Sequence, residues 1–347
     1  MRKWIGAIGI LIILVLLFFI VREINFHEAY YLVSHVNIYW FIAAIIATAL
    51  TFILWAFGCM YIFRPFIRRK GYKKGDFWFF LKATISRVFF NQVTPGAGVG
   101  GEPFKAHYLA KRFKKSRMQM LTIIAADSFF RMVALGLFVL FSILFVFFFV
   151  SVNNELRMIL EGILVFVILI SVLLGFFILK KFDFKIGILF KKLYYFKFVK
   201  KRFKTAEDFA IYVDKRLNSL SGIFREIVTS KKNIVVDLII ASVFWITNIF
   251  IAYFLFLGFG EVVNFFAVLI VFIISHVLAR ITPFPGGVAV TEGAMILLYS
   301  AMGFSASLAV LVTLLQRIIY YFFSLIIGGF MALHMQKRIS GMKYGFF

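Results

Sequence analysis

The sequence predicts an all-α polytopic membrane protein of six full transmembrane helices plus two oppositely oriented re-entrant helical hairpins, related as an inverted repeat. Three observations lead there. Of the 347 residues, 63% are hydrophobic and 20% aromatic, more apolar surface than a soluble domain of this length can bury. Uncharged runs of spanning length recur without strand-like alternation, which selects helices over barrel strands. Two stretches, Asn91-Gln-Val-Thr-Pro-Gly-Ala-Gly-Val-Gly-Gly-Glu102 and Arg280-Ile-Thr-Pro-Phe-Pro-Gly-Gly-Val-Ala-Val-Thr-Glu292, break apolar segments in the same way and then place a glutamate. Helix breaks are tolerated at membrane depth where the freed backbone groups are buried in protein or line a polar cavity, so a matched pair marks a binding or transport site.

The six uncharged runs cover residues 4–21, 38–63, 132–152, 162–179, 238–260 and 318–336. The first leads into Val21-Arg-Glu without a small-x-small cleavage pattern and reads as a retained helix. Lysine and arginine collect at residues 2–3, 64–76, 105–117, 180–232 and 337–343, whereas 22–37 and 153–161 hold only Arg22 and Arg157. The positive-inside rule therefore puts both termini and all five basic segments on the cytoplasmic side of a cell membrane. Because the basic segments flanking the first break share a side, residues 77–104 must enter and return. Residues 262–304 do the same from the opposite face. The chain thus reads as a single membrane domain, 1–347, with repeat halves at about 38–150 and 234–334 and a cytoplasmic basic linker at about 180–232. Within the linker, residues 184–203 interleave Lys and Arg with Phe, Tyr, Leu and Ile, as either an interfacial helix on an anionic leaflet or a solvated connector does.

The formal net charge of +24 sits beside the spans and so reports topology, not nucleic acid. With one cysteine, Cys59, the chain makes no intrachain disulfide and no multi-thiol metal site, and its five histidines lack metal-ligand spacing; no metal or cofactor is called for. The run Gly96-Ala-Gly-Val-Gly-Gly101 is followed by no Gly-Lys-Ser/Thr, which argues against a nucleotide loop.

Candidate binding residues gather at the breaks. Glu102 and Glu292 stand where the next helix begins, so each either caps that helix, forms a structural ion pair or meets a cationic ligand group. Arg131 and Arg317 lie about three turns inside the following helices, and their forks suit phosphate or a hairpin glutamate. Asp127, four residues before Arg131, shares its face and offers a local neutralising partner. Asn91, Thr94, Pro95, Gly96, Gly98, Gly100, Gly101, Thr282, Pro283, Pro285, Gly286 and Gly287 either expose backbone groups around the hairpin tips or permit close packing there.

Phe89-Phe-Asn-Gln-Val-Thr-Pro-Gly-Ala-Gly-Val-Gly-Gly-Glu-Pro-Phe-Lys-Ala-His-Tyr-Leu109, with Asp127-Ser-Phe-Phe-Arg131, resembles the membrane domain of lysylphosphatidylglycerol synthase/flippase proteins. Thr282-Pro-Phe-Pro-Gly-Gly-Val-Ala-Val-Thr-Glu-Gly293 and Gln316-Arg317 resemble that family's later motif, so the likeness covers essentially the whole chain. It implies a flippase-like domain that moves a polar or charged-headgroup lipid, typically an aminoacylated phospholipid, between leaflets. The bifunctional members carry a soluble aminoacyl-transferase domain after the membrane part; the sequence given stops at Phe347, so the chain is expected to be a stand-alone member and not an enzyme. On that reading Glu102 and Glu292 receive a cationic headgroup while Arg131 and Arg317 hold phosphate. Two rivals from other classes are a membrane enzyme of lipid or glycan assembly, using Glu102 or Asp127 as base, and a non-catalytic subunit that docks a soluble lipid-modifying enzyme on residues 180–232.

Overall fold

A computed structural model of the chain describes residues 26–66, 73, 75–94, 100–149, 194, 205–281 and 290–340, and its regular structure is entirely helical among them. The expected spans at 4–21 and 162–179 lie outside the described residues, as does the 184–203 segment apart from Tyr194. A short helix α1 (Phe26–Ser34) leads into α2 (Ile38–Phe63), α3 (Asp76–Val93), α4 (Glu102–Phe113) and α5 (Arg117–Phe149). After α6 (Ala206–Thr229) come α7 (Lys231–Gly258), α8 (Phe265–Ile281), α9 (Val290–Ala301) and α10 (Ala306–Tyr321), which passes through a π-helical turn, Phe322–Ile327, into α11 (Gly328–Ser340). The order long, short, short, long therefore occurs twice.

Among the described residues, four helical stretches are long and apolar enough to cross a membrane: Ile38–Phe66, Arg117–Phe145, Lys231–Gly258 and Ala306–Lys337. Two of them begin well before the uncharged runs that predicted them. An uncharged-run criterion stops at Arg131 and Arg317, yet both helices continue through these residues because each guanidinium is paired with a carboxylate inside the protein. The paired short helices are different. At about 1.5 Å per residue, the 12 residues of α4 or α9 reach about 18 Å, short of the ~30 Å hydrocarbon core.

The longest interface joins α2 to α7, and the two run antiparallel. At one end the Asn37 amide donates to the Gly258 carbonyl at 2.7 Å; at the crossing Thr51 Oγ1 donates to Thr247 Oγ1 at 3.2 Å. Near the other end a Cβ on Gly58 would stand 3.2 Å from Ile240. Other contacts cross between the halves: α3 packs on the π-helical turn Phe322–Ile327 and on α11, and α8 packs on α5. Gly328 permits the first of these, since a Cβ there would meet the Ile85 carbonyl and Phe89 at 3.0 Å.

Among the described residues two large apolar cores and one small cluster result. One core is centred on α7 to α10, with Phe256, Phe272 and Tyr299 buried; the other joins α2 to α5 with α6 through residues such as Phe63, Phe80, Ile124 and Ile227; the small cluster is Phe52, Ile85 and Val88. The opposite faces are greasy rather than polar. Ile42, Ile46, Ile53 and Phe57 on α2, Val235, Ile239 and Val243 on α7, and Ile318, Phe322, Ile326 and Phe330 on the last helix form exposed stripes at helical spacing. Stripes of that kind face lipid in a membrane protein.

Candidate functional site

The first break is built by close backbone approach. Helix α3 ends at Val93, Thr94 turns extended, and α4 begins at Glu102. A Cβ on Gly101 would sit 2.0 Å from the Arg87 carbonyl oxygen, and one on Gly100 only 1.7 Å from Thr94 Oγ1, so no larger residue fits either position without moving the chain. The Gly101 amide donates to Asn91 Oδ1 at 2.5 Å, which satisfies a first-turn donor of α4. Phe90 and Phe104 stack beside it with centroids 3.6 Å apart.

This seam brings Arg87 of α3 onto Glu102 of α4 in a buried ion pair. Further along the same hairpin, Arg112 Nη2 meets the fully buried Asp76 Oδ1 at 3.0 Å. The second break repeats the first pairing on different helices: Arg317 Nε of α10 donates to Glu292 Oε1 of α9 at 2.6 Å. Arg131 Nη1 donates to Asp127 Oδ1, one turn earlier on α5, also at 2.6 Å. Both glutamates stand in the first turn of their helices, where the helix dipole favours a carboxylate.

Arg87, Arg131 and Arg317 converge on one cavity of about 270 Å³ between α2, α3, α5, α7, α8, α9 and α10. Trp55 anchors it, with the guanidinium carbons of Arg87 and Arg131 lying 4.5 and 4.8 Å from its ring centroid. Asn91, Gln92, Asn248 and Gln316 add amides to the wall, while Phe244, Phe272 and Met295 make part of it apolar. Arg87 keeps Nε and Nη1 without a protein acceptor although both are buried. Trp245 Nε1 holds the backbone of α5 in place by donating to the Arg131 carbonyl at 2.8 Å.

No Asp or Glu is part of the cavity wall among the described residues; the carboxylates lie behind the arginines and hold them. Glu102 and Glu292, the residues expected to meet a cationic headgroup, stand against arginines and not in this cavity wall. Each has one oxygen committed to a guanidinium, and the surface offered to a ligand is cationic. Of the other expected residues, Asn91, Arg131 and Arg317 line the cavity, Thr94, Gly100 and Gly101 form the hairpin seam, and Asp127 neutralises Arg131 as its spacing suggested. Pro95, Gly96, Gly98, Thr282, Pro283, Pro285, Gly286 and Gly287 lie outside the described residues.

Arg87 was missed. Its signal is visible in hindsight: an arginine between Ile85-Ser86 and Val88-Phe89, with an acid fifteen residues later across a glycine turn. It passed for the edge of an apolar run.

Comparison with known proteins gives the family. The model of the lysylphosphatidylglycerol synthase transmembrane region matches residues 6–328. A UPF0104 membrane protein of Pyrococcus horikoshii is 25% identical, covering 98% of this chain and 99% of its own length. UPF0104 membrane proteins of Methanothermobacter thermautotrophicus and Methanocaldococcus jannaschii are 27% and 24% identical, over 67% and 74% of this chain and 68% and 74% of their own lengths. No solved structure matches. The chain is a membrane protein that belongs to the family of the lysylphosphatidylglycerol synthase transmembrane region.

Proposed function

We propose that the protein moves a lipid with an anionic, phosphate-bearing headgroup between membrane leaflets. The observation that carries this reading is the convergence of Arg87, Arg131 and Arg317, from three different helices, on one partly apolar cavity. Guanidinium forks match phosphate oxygens two at a time, and Arg87 has donors to spare. The cavity, about 270 Å³, has room for a headgroup and none for two acyl chains, so the tails remain in lipid.

The same reading takes α3–α4 and α8–α9 as re-entrant hairpins entering from opposite sides, and the two halves as an inverted repeat. Their short lengths, the recurring element order and the antiparallel α2–α7 pair support it. Both termini then lie in the cytoplasm, as the basic segments require. In action, the glutamates and Asp127 fix the orientation of the arginines, the arginines hold phosphate, and one half rocks against the other to open the cavity to each leaflet in turn.

Reconstitution tests this. Vesicles containing the purified protein should equilibrate tail-labelled phosphatidylglycerol between leaflets faster than protein-free vesicles, and faster than they equilibrate tail-labelled phosphatidylcholine, whose headgroup adds a quaternary ammonium that meets only arginines. Equal rates with and without protein contradict the proposal.

A further inference from the structure

A second pocket lies behind the headgroup cavity. It holds about 10 Å³ and is lined by Asp127, Arg131 and Asp237 with Leu54, Trp55, Gly58 and apolar neighbours. Arg131, Trp55 and Phe244 are common to both pockets, so the Arg131 guanidinium is a shared wall. Asp237, in the second turn of α7, is 3% exposed, and neither carboxylate oxygen has a hydrogen-bond partner; Asp127 Oδ2 has none either. Two carboxylates and one guanidinium, all three buried, carry a net charge of −1. A buried charge without a partner is costly, and one proton makes the cluster neutral.

Resting on the reading above, we propose that Asp237 is a proton-coupling site, binding one proton together with the anionic headgroup. A metal ion fits the pocket poorly. It has room for about one water, supplies oxygen ligands only from Asp127 and Asp237, and already contains the positive charge of Arg131. Among the described residues no group of three or more His, Cys, Asp or Glu could hold a metal ion.

The coupling follows from charge. With Asp237 ionised, Arg131 faces two carboxylates behind it, and their combined field opposes an anion in the cavity in front. With Asp237 neutral, only Asp127 remains, and the cavity is more attractive to phosphate. By reciprocity the bound anion favours the protonated carboxyl, so headgroup and proton bind together. The charged groups around Asp237 are Asp127 and Arg131 of α5; α2 contributes Leu54, Trp55 and Gly58, and none of the pocket lining comes from α6, α8 or α10. Two other titratable side chains form part of the cavity wall, His276 of α8 and Tyr320 of α10, and of these histidine is the residue type that ordinarily changes charge between pH 5 and 8.

The test measures binding of tail-labelled phosphatidylglycerol to the full-length protein in detergent between pH 5.5 and 8.5, a range in which the phosphodiester stays singly charged. Wild-type affinity should fall as pH rises, by a factor within the usual range of coupling between two sites, about 5 to 150. Asp237→Asn should bind at every pH as the wild type does at low pH. His276→Gln, at whatever affinity the altered cavity wall leaves it, should keep the wild-type ratio of binding between low and high pH. As a second readout that needs no variant, binding in weakly buffered solution near neutral pH should take up protons. Wild-type pH dependence surviving in Asp237→Asn, its loss in His276→Gln, or binding without proton uptake overturns the coupling alone. Failure of the wild type to bind or transfer the lipid at any pH overturns the transport reading and the coupling with it.

Discussion

Arg317 Nε of α10 donates to Glu292 Oε1 of α9 across 2.6 Å, and this pair ties the second hairpin to the last long helix at the edge of the cavity. Both side chains are largely buried, 15% and 6% exposed. Removing one partner strands the other charge, so Glu292→Gln should lose about 3–5 kcal/mol of stability. Glu292→Gln with Arg317→Gln should recover much of that loss. Unfolding in detergent of the two single variants and the double variant measures the coupling; additive losses would show that the pair is not an energetic unit.

Two glycines of the first half should respond in opposite directions. Gly101→Ala forces a methyl against the Arg87 carbonyl at 2.0 Å and should cost at least about 1–3 kcal/mol. In Gly136→Ala the new methyl meets nothing within 4 Å in the middle of α5, and helix propensity alone should add about 0.5–1 kcal/mol. Melting temperatures of the two variants check both signs.

Much of this was legible in the sequence because it depends on local rules. The first Thr-Pro-glycine break located the seam between α3 and α4, and the i, i+4 spacing of Asp127 and Arg131 foretold their contact. What escaped was non-local. The sequence reading offers Glu102 the later arginine Arg131 as a partner, and only the approach of α4 to α3 through Gly101 decides for Arg87. Asp237 falls just outside the uncharged run 238–260, and nothing in its own segment shows that α5 lines the same pocket. Charge-free runs likewise underestimated α5 and α10, whose internal charges are neutralised by the local Asp127–Arg131 pair in α5 and by Glu292 of α9 against Arg317 of α10.

Trp55 is a further element that sequence patterns do not single out, being one aromatic among many. It lies beneath both Arg87 and Arg131, so Trp55→Leu should weaken phosphatidylglycerol binding by about 1 kcal/mol, roughly fivefold, whereas Trp55→Phe should keep part of the cation–π contact. Equal affinity of Trp55→Leu and wild type would show that the ring only fills space.

Topology is checked by labelling. In a Cys59→Ala background, a cysteine at Lys114, the turn between α4 and α5, should react only from the cytoplasmic side. Cysteines at Gly260 and Gly303, the turns that precede α8 and α10, should react only from the outside. Labelling of all three from one side would remove the opposed orientation of the hairpins.

The central claim is that the arginines themselves hold the moving headgroup, with the carboxylates serving to position them. The paired variants Arg87→Gln/Glu102→Gln and Arg317→Gln/Glu292→Gln test it most directly, because each removes a cavity cation without leaving its partner charged and buried. Transfer of tail-labelled phosphatidylglycerol by each folded double variant in vesicles is the measurement. Loss of a charge-assisted contact worth about 1.5–3 kcal/mol should slow transfer roughly 10- to 100-fold while the protein stays folded. Wild-type transfer rates in both double variants would contradict the account.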